Sequence, residues 1–330
     1  MPPRISIIIP VHNAQNTIER CVNSFISQFL SFDYEILLIE NGSKDDSYLK
    51  CQELAAKNAN VIFRKNLVSG VSAARNFGLQ ISRGEIVVFC DSDDYIRNNT
   101  LEKLIRIFDQ KPYIDVVVAG YMYVYDDTKY ERAKCHKKSF ECDGKKFAEL
   151  ILTDDKVFGG VWNKLYRKRY VKNFSFQEKL IYCEDVKFNV ESAMGNPCSR
   201  IFISDVLYYN YVQSTTSITN DPQKLFDEKD QLNATNALKE LRAEYLNDSR
   251  IYKIVSAKIF SLSVIAESEE LSTKQKDLIV KDIKENQKYF HACWLICPME
   301  NFKFQIKRLM GSYWLKIKRK RLRNFDKAKE

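Results

Sequence analysis

The sequence predicts an α/β protein, with a mostly parallel central sheet, Rossmann-like in its winding, followed by a helical C-terminal region. Three observations carry this. Between residues 5 and 90, apolar runs of strand length alternate with segments whose apolar residues recur at helical spacing, the pattern of strands joined by crossover helices. Each main strand-like run ends in a polar cluster: His12-Asn13, Glu40-Asn41 or Asp91-Ser92-Asp93-Asp94. Beyond Asp221-Pro222 the strand signals fade and helical periodicity takes over. The expected division is a sheet domain over 1–218 and a helical region over 219–330 that ends in a basic tail.

The elements follow in order. Ile5 to Val11 is continuously apolar, as in a strand buried on both faces. Thr17 to Phe29 places Ile18, Cys21, Val22, Phe25 and Ile26 on one helical stripe. Tyr34 to Ile39 is the second strand, and Asp45 or Asp46 caps a helix running to about Asn58. Val61 to Arg64 is a short third strand. Gly70 and the small residues after it permit close backbone approach, and Ala73 to Ile81 reads as helix. Ile86 to Cys90 is a strand that stops at three carboxylates within four residues. A helix over Thr100 to Asp109, a β-rich stretch over Asp115 to Tyr125, a helix over Val186 to Met194 and a strand over Ile201 to Tyr211 complete the domain.

Composition narrows the classes. With 45% hydrophobic and 12% aromatic residues the chain buries a sizeable core. Nine scattered cysteines without paired CxxC spacing, and three histidines, argue against a zinc site and fit reduced thiols in a cytosolic setting. The N-terminus reads as a first strand and not as a signal peptide. No apolar run approaches the roughly 18 residues of a membrane span. The formal net charge is +9, and the last 28 residues hold eleven Lys or Arg against Asp326 and Glu330, which accounts for all of it.

In an open α/β sheet, ligands collect beyond the carboxyl ends of the strands. The three polar clusters therefore converge on one rim. Carboxylates placed there suit a hard divalent cation, which takes oxygen ligands and shares them with substrate phosphates. By itself the Asp91–Asp94 turn also reads as a solvated helix-capping turn.

Five blocks in this order, Ser6-Ile-Ile-Ile-Pro-Val-His-Asn13, Glu35-Ile-Leu-Leu-Ile-Glu-Asn-Gly-Ser-Lys-Asp45, Gly70-Val-Ser-Ala-Ala-Arg-Asn-Phe-Gly78, Asp91-Ser-Asp-Asp94 and Glu184-Asp185, resemble the family 2 glycosyltransferases of the GT-A fold, over residues 4–215. The resemblance implies an inverting, metal-dependent enzyme that moves a sugar from a nucleotide donor to a surface-glycan acceptor carried on a lipid. Asp91 and Asp93 then form a DxD motif, both placed at Mn²⁺ or Mg²⁺, with Asp91 and Ser92 also on the donor's ribose side. Arg75 is placed at the phosphates, and Pro10, His12 and Asn13 under the nucleoside. Glu40-Asn41 departs from the family's commoner Asp-Asp. Asn41 still offers a carbonyl oxygen to the base, for which UDP is the preferred nucleotide. Asp185 is the general base. Trp162, Lys164 and Glu184 are placed on the acceptor side, and Trp162 also reads as a plain core residue. A non-catalytic member of the family stays open as the alternative.

Lys303 to Arg323 interleaves Phe304, Tyr313, Trp314 and several aliphatic residues with basic ones. The expectation is a helix lying on an anionic membrane surface, which places the protein peripherally at the inner face of the cell membrane. Nucleic acid is the rival partner for such a run and is not expected here; a solubilising terminus is the third reading.

Overall fold

The computed structural model of the chain describes residues 2–125, 129–180, 182–213, 233–266 and 285. The chain divides into two compact units, Met1–Asp221 and Pro222–Glu330.

The first unit opens with β1 (Ile5–Val11), α1 (Ile18–Ile26), β2 (Tyr34–Glu40), α2 (Ser47–Lys57), β3 (Val61–Lys65), α3 (Val71–Ile81) and β4 (Ile86–Phe89). After these come β5 (Tyr95–Ile96), α4 (Leu101–Gln110), β6 (Ile114–Tyr125), β7 (Lys129–Lys134), β8 (Phe140–Asp143) and α5 (Gly144–Thr153). The unit closes with β9 (Lys164–Arg167), α6 (Lys168–Val171), α7 (Glu184–Gly195) and β10 (Arg200–Gln213). Among the described residues these strands form one sheet in the order β3-β2-β1-β4-β9-β6-β10-β5, with β7 on β6 and β8 on β10.

The first half, β3-β2-β1-β4, is wholly parallel, as the alternating pattern predicts. The second half is mixed. The four-residue β9 lies antiparallel between β4 and β6, while β10 runs parallel to β6. A strand of that length, Lys-Leu-Tyr-Arg, has too little pattern to be read from sequence. Because β9 runs the other way, its first residue and the carboxyl ends of β1, β2, β4, β6 and β10 share one rim.

Pro10 sits inside a central strand, where proline is normally excluded because it cannot donate to the ladder. The register explains it. Val11 pairs toward β2, where Asn41 N donates to Val11 O, and Ile8 pairs toward β4, where Cys90 N donates to Ile8 O. Pro10 faces the β4 side like Ile8, but the β1–β4 pairing ends at Ile8 and Phe89. The missing N–H falls where there is no strand left to bond.

Both faces of the sheet are covered. Ile5, Ile7, Ile9 and Val11 pack with Ile18, Val22 and Phe25 of α1 and Leu104 and Phe108 of α4 in one core. On the other face Gly78 of α3 meets Ile8: a Cβ there would lie 2.4 Å from Ile8 Cγ2. Phe89 meets Phe176 and Phe188 in T-shaped contacts, and those two rings stack on each other at 4.0 Å. Gly78→Ala is therefore expected to destabilise the fold by about 1–2 kcal/mol, since overpacking outweighs the helix propensity that alanine brings; equilibrium chemical denaturation checks this.

In the second unit α8 (Asn233–Glu244) and α9 (Ser249–Ala266) pack against each other, with Ala237, Leu238, Leu241, Ile251, Ile254, Val255 and Ile259 buried. Among the described residues no helix is long and apolar enough to cross a membrane. The basic stretch 303–323 lies outside the described residues.

Candidate functional site

The rim gathers the predicted clusters. At the end of β1, Asn13 adopts a left-handed backbone (φ 50°) and its Oδ1 accepts from Lys44 N at 2.8 Å. His12 Nδ1 donates to the Asn41 carbonyl at 3.0 Å, and its Nε2 accepts from Asn13 Nδ2 at 3.2 Å. That pair of bonds sets the tautomer. Both side chains are exposed beside the β2 turn.

Glu40 is buried and accepts from Ser43 N at 2.5 Å, closing the turn through Gly42, whose φ of 74° suits glycine. Asn41 is buried too, and its amide is engaged at both ends: Nδ2 donates to Val68 O at 2.7 Å, and Oδ1 accepts from Gly70 N at 2.6 Å. Asn41, expected to meet a nucleotide base, thus latches the 66–70 loop. Gly70, at φ 118°, supplies the backbone turn that brings its N–H round.

The Asp91–Asp94 turn has three carboxylates in three environments. Asp91 is partly exposed, and its Oδ1 accepts from Arg75 at 2.9 Å. Asp93 is exposed at the tip, and its backbone carbonyl accepts from Arg20 at 2.6 Å. Protein crowding around its carboxyl and the neighbouring Asp91 charge push it up to about 6. Ser92 lies between them, half-buried. Asp94 is fully buried, accepting from Tyr209 Oη and from Val212 N, both at 2.7 Å. Burial raises its carboxyl well above the usual range, with the charges of Asp93 and Asp91 adding to it. Asp94 is thereby an anchor that ties the turn to β10, and Tyr209 Oη also accepts from Asp91 N at 3.1 Å.

Arg75, expected at the phosphates, joins two carboxylates: Nη2 donates to Asp91 and Nη1 to Glu184 at 2.8 Å. The guanidinium lies over the Phe176 ring at 5.4 Å, and its Nε is buried without a hydrogen-bond partner. Burial opposes its charge, but Asp91, Glu184 and Asp185 outweigh that and hold Arg75 firmly protonated. Glu184, expected on the acceptor side, gives its Oε1 to this bridge.

Asp185 follows on the first turn of α7, which starts from a left-handed Cys183 (φ 58°). Its Oδ1 accepts from Val186 N at 2.7 Å. Its side chain still reaches solvent, but protein surrounds most of it. That burial and the adjacent Glu184 charge push the carboxyl up to about 7 against the pull of Arg75. A carboxylate poised there is suited to general-base work at neutral pH.

Trp162 and Lys164, expected on the acceptor side, are instead buried. The Trp162 ring stacks on Tyr209 at 4.5 Å and on Tyr211 at 5.2 Å, the plain-core reading. The Lys164 amine is turned inward onto backbone carbonyls.

Among the described residues no three His, Cys, Asp or Glu side chains are grouped to hold a metal ion alone. Asp91 and the exposed Asp93 fit a cation that takes its remaining ligands from a diphosphate and water, the usual habit of Mg²⁺ in phosphate enzymes.

Residues 6–174 match the family model described as glycosyl transferase family 2. The chain belongs to that family. Curated relatives of this family-2 protein include the uncharacterized glycosyltransferase EpsJ of Bacillus subtilis, 28% identical over 68% of this chain and 65% of EpsJ. GgaB of the same organism, a minor teichoic acid biosynthesis protein, is 26% identical over 55% of this chain and 20% of its own length. The chain thus spans just under two thirds of EpsJ and a fifth of GgaB. Among solved structures, Staphylococcus aureus TarS 1–349 in complex with UDP-GlcNAc superposes with a TM-score of 0.67 at 20% identity, over 87% of this chain and 81% of that one. A mannosyltransferase from Pyrobaculum calidifontis with GDP-Man and Mn²⁺ superposes at 0.51 with 15% identity, over 90% of this chain and 84% of that one. These likenesses show the fold, which is GT-A.

The residues that sequence reasoning missed are Tyr209, Arg20 and Asn76, whose Oδ1 accepts from Phe176 N at 2.7 Å. Tyr209 lies 118 residues from the Asp91 it supports, and no local pattern flags it.

Proposed function

We propose that this protein is a metal-dependent inverting glycosyltransferase that moves a sugar from a UDP-linked donor to a growing surface glycan on a lipid carrier. The observation that carries the reading is one bridge on one rim: Arg75 links the Asp91–Asp93 turn, suited to the donor's diphosphate, to the Glu184–Asp185 turn, suited to the acceptor. The likeness to GgaB, a minor teichoic acid biosynthesis protein, and to the UDP-GlcNAc complex of TarS supports the substrate class.

In the proposed reaction an acceptor hydroxyl oxygen attacks the anomeric carbon opposite the leaving diphosphate. The new C–O bond forms as the bond to the phosphate oxygen breaks, which inverts the anomeric centre. Asp185 takes the hydroxyl proton. Asp91 and Asp93 would hold Mn²⁺ or Mg²⁺, which supplies Lewis-acid neutralisation of the departing diphosphate's charge. Arg75 fixes the Asp91 carboxylate by holding one of its oxygens and keeps a positive charge at the rim. Asn41, His12 and Asn13 shape the floor under the nucleoside by fixing the turns around it.

We place the enzyme at the cytoplasmic face of the cell membrane, attached through the basic stretch Lys303–Arg323. Each Lys or Arg near an anionic surface contributes about 1 kcal/mol, so partial engagement supports reversible attachment. Binding to anionic vesicles, lost on truncation after residue 302, tests this; equal binding to neutral vesicles overturns it.

A thermal-shift series with UDP, GDP, CDP and ADP, each with and without Mn²⁺, tests the donor reading, because a ligand of the folded state raises its melting temperature by mass action. Stabilisation by UDP that needs Mn²⁺ and disappears in Asp93→Ala is the expected result. Stabilisation by another nucleotide reassigns the base. No metal-dependent response to any of them favours the non-catalytic reading, for which the inward engagement of Glu40 and Asn41 is the specific observation.

A further inference from the structure

The segment Val157–Gly160 sits against the first turn of α7, the turn that carries Glu184 and Asp185. A Cβ on Gly159 would lie 2.4 Å from Val186 Cγ2, so the backbone touches the residue next to Asp185. Phe158 adopts a left-handed backbone, φ 53°, which is uncommon for an aromatic residue. Something must hold this segment in place.

The carbonyls of the segment all point at side-chain donors. Lys164 Nζ donates to Val157 O at 3.0 Å, Phe158 O at 2.8 Å and Gly160 O at 2.5 Å, and lies 2.9 Å from Asn163 Oδ1. Asn189, one helical turn beyond Asp185 in α7, donates to Gly159 O at 2.7 Å. Tyr166 of β9 fixes that amide by donating to Asn189 Oδ1 at 2.7 Å. Lys164 and Asn189 are both fully buried.

A buried lysine is costly unless its charge is met by acceptors. Burial drives the Lys164 amine down to about 7, with the Asp185 charge opposing it. Four oxygens within 3.0 Å oppose it further, since an ammonium offers three protons and a neutral amine two. Such a cluster is far more than a core needs: a methionine would fill the same volume without a charge to satisfy.

We propose that Lys164, with Asn189, is the positioning device for the base: it gathers the 157–160 carbonyls into a rigid backing against the first turn of α7 and so fixes where Asp185 points. Lys164 is a positioning residue and touches neither substrate nor reacting atoms. The inference rests on the proposed role of Asp185.

The test uses the full chain and two variants, Lys164→Met and Asn189→Ala, so that a folding failure of one leaves the other. The first measurement is hydrogen–deuterium exchange without added ligand. The expected result is at least tenfold faster exchange of amides 184–188, with the amides of β1 and β2 unchanged. Unchanged exchange at 184–188 overturns the proposal. The second compares UDP affinity, by calorimetry, with the rate of UDP release from UDP-GlcNAc, UDP-Glc and UDP-Gal. At least tenfold slower release with UDP affinity within twofold of wild type is expected. Release and affinity falling together point to a merely structural lysine and overturn the proposal. If the wild-type protein releases UDP from none of these donors, the functional reading fails for them, and the exchange measurement alone decides whether Lys164 and Asn189 hold the turn.

Discussion

Asp185→Asn is expected to slow sugar transfer by about 10²–10⁴-fold, the span of a lost general base, while UDP affinity stays within twofold. The amide keeps the shape of the carboxyl and can still accept from Val186 N, so the first turn of α7 is preserved. What it loses is the basic oxygen. Single-turnover assays with the donor identified by thermal shift measure it, and retained transfer removes Asp185 from the base role. The wild-type profile follows in sign. Burial and Glu184 raise the Asp185 carboxyl to about 7, and only the ionised form accepts the proton. Transfer should therefore rise with pH up to about 7 and level off above it, falling about tenfold per pH unit on the acid side. A profile flat from pH 5 to 8 counts against this assignment.

Arg75→Met is expected to destabilise the fold by about 3 kcal/mol, near the lower end of what breaking a buried ion pair costs. The side chain is 5% exposed, and its removal leaves Glu184, at 10%, and Asp91, at 27%, without the charge that lies between them. Asp91 keeps some water, which is why the upper end is not reached. Urea denaturation at pH 7 measures the change. A loss under 1 kcal/mol would show that the two carboxylates find solvent or another partner without Arg75. The same substitution uncouples the two turns, so transfer should fall even where the protein remains folded.

Both predictions depend on a site that the sequence reveals only in part. Strand ends were legible because burial on both faces imposes unbroken apolar runs, and a run must stop where the chain meets water. Ile5–Val11, Tyr34–Glu40 and Ile86–Phe89 stop within a residue or two of where the pattern stops. The carboxylates that follow them inherit their place on the rim from strand direction alone. The short β9 and β5 were not legible, since two to four residues carry no period.

Side-chain partners were legible least of all. Arg75 reads from sequence as a helix arginine near phosphates, yet its partner Glu184 stands 109 residues away. Lys164 reads from the resemblance as an acceptor-side residue, and its burial follows from β9 being threaded between β4 and β6. Asn41 reads as a base contact, and the fold spends its amide on the 66–70 loop.

The sequence alone determined the α/β class and the rim on which the carboxylates gather, because hydrophobic period and strand polarity are local properties of the chain; the family followed from the resemblance of its five blocks. Only the tertiary structure decided which carboxylate anchors, which is bridged and which remains available for chemistry. Those roles depend on burial and on charges brought together across more than a hundred residues, and burial sets the cost of an unpaired charge.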